Sequence, residues 1–183
     1  MVSHTFYTQH TEEFYDFYKN KMIFLDAKPN KAHLKLAEME QAGKLSAIVT
    51  QNMDGLHQAA GSKNVFELHG SVHRNYCQKC GKFFDVNYVV NAKGVPYCDE
   101  CGGIIKPDVV LYEEGLDSQT INGAVRAISK ADMLIIGGTS LVVYPAAGMI
   151  DYFKGKYLAV LNRDATSRDK QADLCITDPI GEV

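Results

Sequence analysis

Two groups of residues in this chain have the types and spacing to do chemistry. The first is four cysteines, Cys77-x2-Cys80 and Cys98-x2-Cys101, with seventeen residues between the pairs. That spacing falls within the C-x2-C-x15–20-C-x2-C arrangement of zinc sites. Each CxxC turn presents two sulfurs on one side of a knuckle, and two knuckles close a tetrahedron around Zn2+ at about 2.3 Å per bond. Four thiolates leave no open coordination position, so the ion is expected to be structural and not catalytic. Gly81 and the Gly102-Gly103 pair follow the knuckles directly, where the chain must turn tightly under the sulfurs. The fifth cysteine, Cys175 in ADLCITD, reads as a small buried hydrophobe.

The second group is TQNMDGLH, residues 50–57, which runs straight out of the apolar stretch AIV. Asx-turn chemistry around Gly55 accounts for Asp54 but leaves the amides Gln51 and Asn52 unexplained. Further along stand His69 in ELHG, Gly138-Thr139-Ser140 in GGTS and Asn162 in LNRD. Taken singly, a histidine is usually structural and GGTS is only a loop after a strand. What gives these residues weight is where the surrounding elements place them.

Those elements read as alternating helix and strand. Residues 11–24 are aromatic-rich with helical spacing, and Asn30 is placed to cap a second helix, KAHLKLAEMEQAG, stopped by Gly43. Apolar strands are expected at 45–49, 133–136 and 158–161. SQTINGAVRAISKA forms a helix with Ile121, Val125 and Ile128 on one face, and PAAGMIDYFKG forms another. Strands apolar throughout and separated by helices imply an α/β fold with a parallel sheet covered on both faces. Ligands gather at the carboxyl ends of such strands, and here each strand ends in a polar signature: TQNMDGLH, GGTSL and NRD.

Composition narrows the class of protein. With 183 residues and 46% apolar content the chain can bury a full core. A net charge of −3 makes no case for nucleic acid or an anionic membrane as partner. The longest apolar runs are far too short to span a bilayer. MVSHTFYTQHTEEF lacks the basic and apolar regions of a signal peptide, so a cytoplasmic protein is expected, in whose reducing surroundings paired cysteines more often hold metal than form disulfides.

Taken in order, TQNMDGLH, ELHGSVHRNYCQKC, the cysteine pairs, IKPDVVLYEEGL, GGTSLVVYPAAG and LNRDAT resemble the sirtuins, NAD-dependent protein deacylases. The resemblance covers the chain from about residue 27 to its last residue. It implies a Rossmann-type NAD-binding domain over 1–72 and 106–183, with a helical lid at 1–44, and a zinc-ribbon-like module inserted at 73–105. It implies an acyl-lysine protein or peptide and NAD as the molecules that react. By position, His69 resembles the general base that takes a proton from the ribose, a task suited to an imidazole that titrates near neutrality. Gln51 and Asn52 resemble the amides that hold the nicotinamide ribose and an ordered water, Asn52 beside His69 in the catalytic set. Asp54 resembles the residue that binds the nicotinamide carboxamide. Gly138, Thr139 and Ser140 would approach the phosphates and adenosine ribose, which Asn162 also contacts. Val110 and Tyr112 resemble the strand that pairs with the substrate peptide.

The chain also departs from the family pattern. The glycine-rich turn GAGxS followed by GIPDFR is absent, no G-x-G occurs, the first strand, central in the family's Rossmann sheet, is expected to be missing with it, and the helix usual after IGEV is not present. A truncated fragment with little deacetylase activity is therefore expected. Glu113 stands where a glycine is common, so a side chain there would narrow the peptide groove. Family members that remove succinyl groups carry Tyr-x-x-Arg on the lid helix; the matching positions are Tyr15 and Tyr18. Three readings follow: a deacetylase forming O-acetyl-ADP-ribose, a non-catalytic zinc-stabilised remnant, and an ADP-ribosyltransferase using the same cleft.

Overall fold

The structure, a computed structural model, describes residues 1–183. It divides into two compact units, one of 1–27, 51–55 and 69–116, the other of 28–50, 56–68 and 117–183. No helix is long and apolar enough to cross a membrane.

The first unit begins with α1 (His4–Gln9) and α2 (Thr11–Lys21). Ser3 caps α1 by accepting the Phe6 N–H, a local signal that the broad aromatic pattern obscured. Strand β3 (Gly70–Cys77) pairs antiparallel with the short β4 (Phe83–Phe84) on one side and with β5 (Ile105–Val109) on the other. Helix α5 (Val86–Asn91) is capped by Asp85. One core joins all of this: Tyr7, Phe14, Tyr15 and Tyr18 from the helices pack with Val72, Phe84, Val89, Ile105 and Val109, and with Cys77 and Cys98 of the knuckles.

The second unit holds two separate parallel sheets. In one, β1 (Ile48–Thr50) pairs with β2 (Val65–Glu67). In the other, β7 (Tyr157–Leu161) lies between β6 (Met133–Gly137) and β8 (Leu174–Ile176). Helix α3 (Lys31–Gln41) has the expected Asn30 cap, reinforced by His33 Nδ1 accepting the Asn30 N–H. Helix α4 (Leu56–Ala59) is a single turn, and α6 (Ser118–Lys130) starts at an Asp117 cap.

Several expectations need correction. The parallel α/β class holds, but the apolar strands fall into two sheets, since β1 and β6 are not hydrogen-bonded neighbours. On β6 only Ile136 is buried, while Met133 and Ile135 remain 47% and 41% exposed, so that strand is not covered on both faces. Residues 146–152 form a 3-10 helix instead of an α-helix, in a short segment interrupted by Gly148. Helix α6 turns its expected face inward, with Ile128 buried and Ile121 and Val125 part-buried, and adds the buried Ala124 to the same stripe. Cys175 is exposed: on the outer strand β8 its side chain faces solvent instead of the core.

Candidate functional site

The metal centre is built by the antiparallel scaffold. β3 delivers Cys77 at its last residue, and the turn into β4 carries Cys80, while the segment before β5 carries Cys98 and Cys101. The four sulfurs lie within 4.8 Å of one another, with Cys77 and Cys101 at 3.4 Å and Cys80 and Cys98 at 3.7 Å. A tetrahedron with bonds of about 2.3 Å has sulfur–sulfur edges of about 3.8 Å, so the cage fits zinc. Burial opposes ionisation of Cys77, but N–H donors of Cys80 and Lys79 pull its thiol down to about 6. The Lys82 amide favours the Cys80 thiolate, yet Cys101 and Cys77 beside it push that thiol up to about 12. Sulfurs this close hold four negative charges only with a cation between them. Gly81 and Gly102 adopt φ of +75° and +69°, as the tight knuckles require. Lys82 bridges the two knuckles through Asp99 and Glu100, each at 2.8 Å.

The first unit also brings His69 together with the loop at 51–55. His69 is half-buried, and its Nδ1 lies 3.0 Å from the Gln51 carbonyl oxygen. A carbonyl only accepts, so Nδ1 carries the proton and the neutral ring keeps its lone pair on Nε2. Met53 in the same loop accepts from the Val72 N–H at 3.0 Å, and its side chain packs against the unit's core. The loop's polar side chains, Gln51, Asn52 and Asp54, thus stand on a stretch whose backbone is tied to β3.

Gly70 explains the glycine of ELHG. It opens β3 opposite Val109 with φ of +76°, and a Cβ there would sit 1.9 Å from the Asp108 carbonyl oxygen. Gly70→Ala is accordingly expected to cost at least about 2 kcal/mol in urea unfolding and to displace His69, its neighbour.

The proposed peptide strand is already engaged. The Val110 N–H donates to the His69 carbonyl, the Tyr112 N–H to Val2, and the Tyr112 carbonyl accepts from His4. A peptide adding a strand here must replace residues 2–4 at Tyr112 or pair elsewhere along 110–112. Glu113 has a left-handed backbone, φ +77°, and its carboxylate accepts from both the N–H and the hydroxyl of Thr5, at 2.8 and 2.7 Å. The side chain that was expected to narrow a groove is thus turned onto α1. Glu114 completes the contact through His4, Lys106 and the Leu111 N–H. Because glycine adopts this φ without strain, Glu113→Gly should cost about 1 kcal/mol less than Glu113→Ala in the same unfolding assay.

In the second unit, Gly138, Thr139 and Ser140 follow β6, and Asn162 follows β7, at the carboxyl ends of neighbouring parallel strands. Gly138 adopts φ of +62° with open space where a side chain would stand, which suits close approach of a phosphate or sugar. Its N–H donates to Leu161 at 3.1 Å, joining the two strand ends. Thr139 Oγ1 accepts from the Leu141 N–H, and Asn162 Nδ2 donates to the Asp164 carbonyl. His73 and Asn75, which hold the shape of β3 beside the 51–55 loop, stand inside ELHGSVHRNYCQKC but were given no role there; the eight-residue spacing from His69 to Cys77 was the one hint that a long strand joins the two sites.

Comparison with known proteins agrees with this geometry. The Sir2 family model matches residues 1–145. A Clostridium acetobutylicum protein named NAD-dependent protein deacetylase is 65% identical over 184 residues, covering 100% of this chain and 75% of the relative. A Cutibacterium acnes protein of the same name is 52% identical, covering 100% of this chain and 74% of its own length. Among solved structures, a Sir2 with p53 peptide and NAD+ superposes with a TM-score of 0.93 at 39% identity, covering 100% of this chain and 78% of that one. Another, a Sir2 with the inhibitor EX-527, 2'-O-acetyl-ADP-ribose and deacetylated p53 peptide, gives 0.92 at 42%, covering 99% and 80%. A thiolate cage on an antiparallel module, a tautomer-fixed histidine beside a polar loop and open strand ends on parallel sheets, matched over this much of the chain, leave one conclusion: the chain belongs to the Sir2 family.

Proposed function

We propose that the chain carries NAD-dependent deacetylation of protein lysines, with the acetyl group passing to ADP-ribose and nicotinamide released. The observation that carries this is His69, whose Nδ1 proton is held by the Gln51 carbonyl so that Nε2 is the basic atom. When bound, NAD supplies the ribose that receives the acetyl group. His69 takes a proton at Nε2 from a ribose hydroxyl, and the Gln51 carbonyl steadies the imidazolium that results. Gln51 and Asn52 orient the nicotinamide ribose, Asp54 holds the carboxamide, and Gly138, Thr139, Ser140 and Asn162 hold the adenosine end. Val110 and Tyr112 supply the peptide-binding edge, and Cys77, Cys80, Cys98 and Cys101 hold a structural zinc in the module at 73–105. The cytoplasm is the compartment we assign, since thiols grouped as metal ligands suit reducing surroundings.

The test is acetyl-peptide-dependent release of nicotinamide from NAD, with O-acetyl-ADP-ribose identified by mass spectrometry. It is run on the 183-residue chain and on a version preceded by a glycine-rich segment of the family's form. No peptide-dependent nicotinamide from either defeats the reading. ADP-ribose found attached to protein, with none in solution as its acetyl ester, establishes ADP-ribosyl transfer instead.

Acyl preference follows from α2. Tyr15 and Tyr18 are fully buried, Tyr15 donating its hydroxyl to the Ile105 carbonyl and Tyr18 stacked on Phe14 at 5.7 Å. Burial pushes both phenols above their usual range, so they remain neutral, and neither offers a cation to a second carboxylate. A missing charge-assisted pair is worth roughly 10–100-fold, and kcat/KM on matched peptides should favour acetyl over succinyl by about that factor. A succinyl preference contradicts this.

A further inference from the structure

Strand β3 does not run evenly along β5. Gly70 and Ser71 face Val109 and Asp108, and the next paired residue, Asn75, faces Pro107. Val72, His73 and Arg74 therefore lie in a bulge outside the backbone register with β5, although the Arg74 side chain still reaches Asp108 of that strand at 2.7 Å. Bulges re-aim side chains and concentrate beside functional sites. This one is held in shape by Asn75, which is fully buried and donates through Nδ2 to the Val72 carbonyl at 3.2 Å and to the Phe84 carbonyl at 3.4 Å.

The bulge grips the 51–55 loop. The Val72 N–H donates to the Met53 carbonyl at 3.0 Å, and His73 Nε2 lies 2.9 Å from the Asp54 carbonyl oxygen. As with His69, the acceptor is a carbonyl, so this nitrogen carries the proton: His73 is an Nε2–H donor, the opposite tautomer from His69. Its ring also closes over Gly55. That glycine has φ of +69°, and a Cβ on it would meet His73 Cδ2 at 2.8 Å. Three fastenings thus reach the loop from β3 and the residue just before it: His69 to Gln51, Val72 to Met53, His73 to Asp54.

We propose that His73 is a positioning residue for the nicotinamide end of the site, fixing through its Nε2–H bond and its packing on Gly55 the backbone from which the Asp54 side chain projects. This rests on the reading of Asp54 as the carboxamide contact. His73 itself is exposed and outside the core, so its replacement changes the loop without emptying a packed interior. Removing the donor frees the Asp54 carbonyl to turn, and the carboxylate on the same residue turns with it.

The test compares His73→Phe, which keeps a flat ring against Gly55 but has no donor, with His73→Gln, which keeps an N–H at similar reach. Amide hydrogen exchange at residues 52–55 of the 183-residue chain is the first readout, needing neither NAD nor activity. It is expected to rise about fivefold in His73→Phe, corresponding to one lost hydrogen bond, and to return toward the original rate in His73→Gln. Nitrogen NMR should show His73 with its proton on Nε2 and His69 with its proton on Nδ1. In the active form the KM for NAD and the inhibition constant for nicotinamide should rise about fivefold, with the peptide KM and zinc content unchanged. Unaltered exchange at 52–55 in His73→Phe overturns the proposal, as does an equal rise in the NAD and peptide constants. Asp54→Asn is the separate check on the underlying reading. If it leaves nicotinamide inhibition untouched, the assignment of Asp54 falls even where the exchange result upholds the grip of His73 on the loop.

Discussion

A Cys98→Ala protein should purify without stoichiometric zinc and should lose the cooperative unfolding transition of the first unit. Cys98 is buried, 4% exposed, and belongs both to the sulfur cage and to the core containing Tyr15, Val89 and Ile105. Zinc bound to such thiolates contributes about 10–16 kcal/mol, as large as the whole stability of an ordinary domain, about 5–15 kcal/mol. Removing one ligand also leaves three close thiols without the charge that gathers them. The loss should extend beyond 73–105 to α1 and α2, because their aromatic side chains pack on the same core as the knuckles. Metal analysis and circular dichroism on urea titration measure this, and a strong chelator should reproduce it in the unaltered chain. A Cys98→Ala protein that stays folded with unchanged midpoint contradicts the account.

His69→Ala should reduce deacetylation by about 10²–10⁴-fold, the usual contribution of a positioned acid–base group. The loss belongs in kcat, since the imidazole moves a proton instead of holding substrate. Stability should change little: one hydrogen bond to the Gln51 carbonyl is worth about 1 kcal/mol. The KM values for NAD and peptide should therefore stay within a few-fold. Measurement is by nicotinamide release with the form of the protein that shows activity. A His69→Ala protein within tenfold of the original removes the base from its assigned place.

Helices α2, α3 and α6, the β6–β7 pair and the zinc cage were legible because each leaves a periodic or spaced signal, whereas the three-residue strands β2 and β8 left none. Asn30 before KAHLKLAE, the apolar runs around 134–136 and 158–161, and the paired CxxC turns are local patterns, each set by a few neighbouring residues. What escaped was long-range. GSVHRNYC does not alternate cleanly, since a bulge interrupts it, and IKPDV alternates but carries Pro107, a residue that argues against an interior strand, so their pairing as β3 and β5 was not read. The exposure of Cys175 and of β6 depends on which strands flank them, which no single segment encodes. The roles given to Gln51, Asp54 and Asn162 came from motif order, since turn chemistry alone accounts for Asp54 and assigns no function to the other two. His73, although inside ELHGSVHRNYCQKC, was given no role, because its partner is a backbone carbonyl whose position only the folded chain defines.

The core of the first unit joins residues far apart in sequence: Tyr15 donates to the carbonyl of Ile105, 90 positions later. At about 5–20 residues per second of synthesis, the aromatic faces of α1 and α2 leave the ribosome roughly 5–20 s before the strand that covers them exists. Tyr7, Phe14, Tyr15 and Tyr18 are buried almost completely in the folded chain, and until then they lack the strand residues of that core. During translation this surface is a natural client site for a nascent-chain chaperone, and slowing elongation between residues 20 and 105 should lengthen its exposure and lower the yield of folded protein.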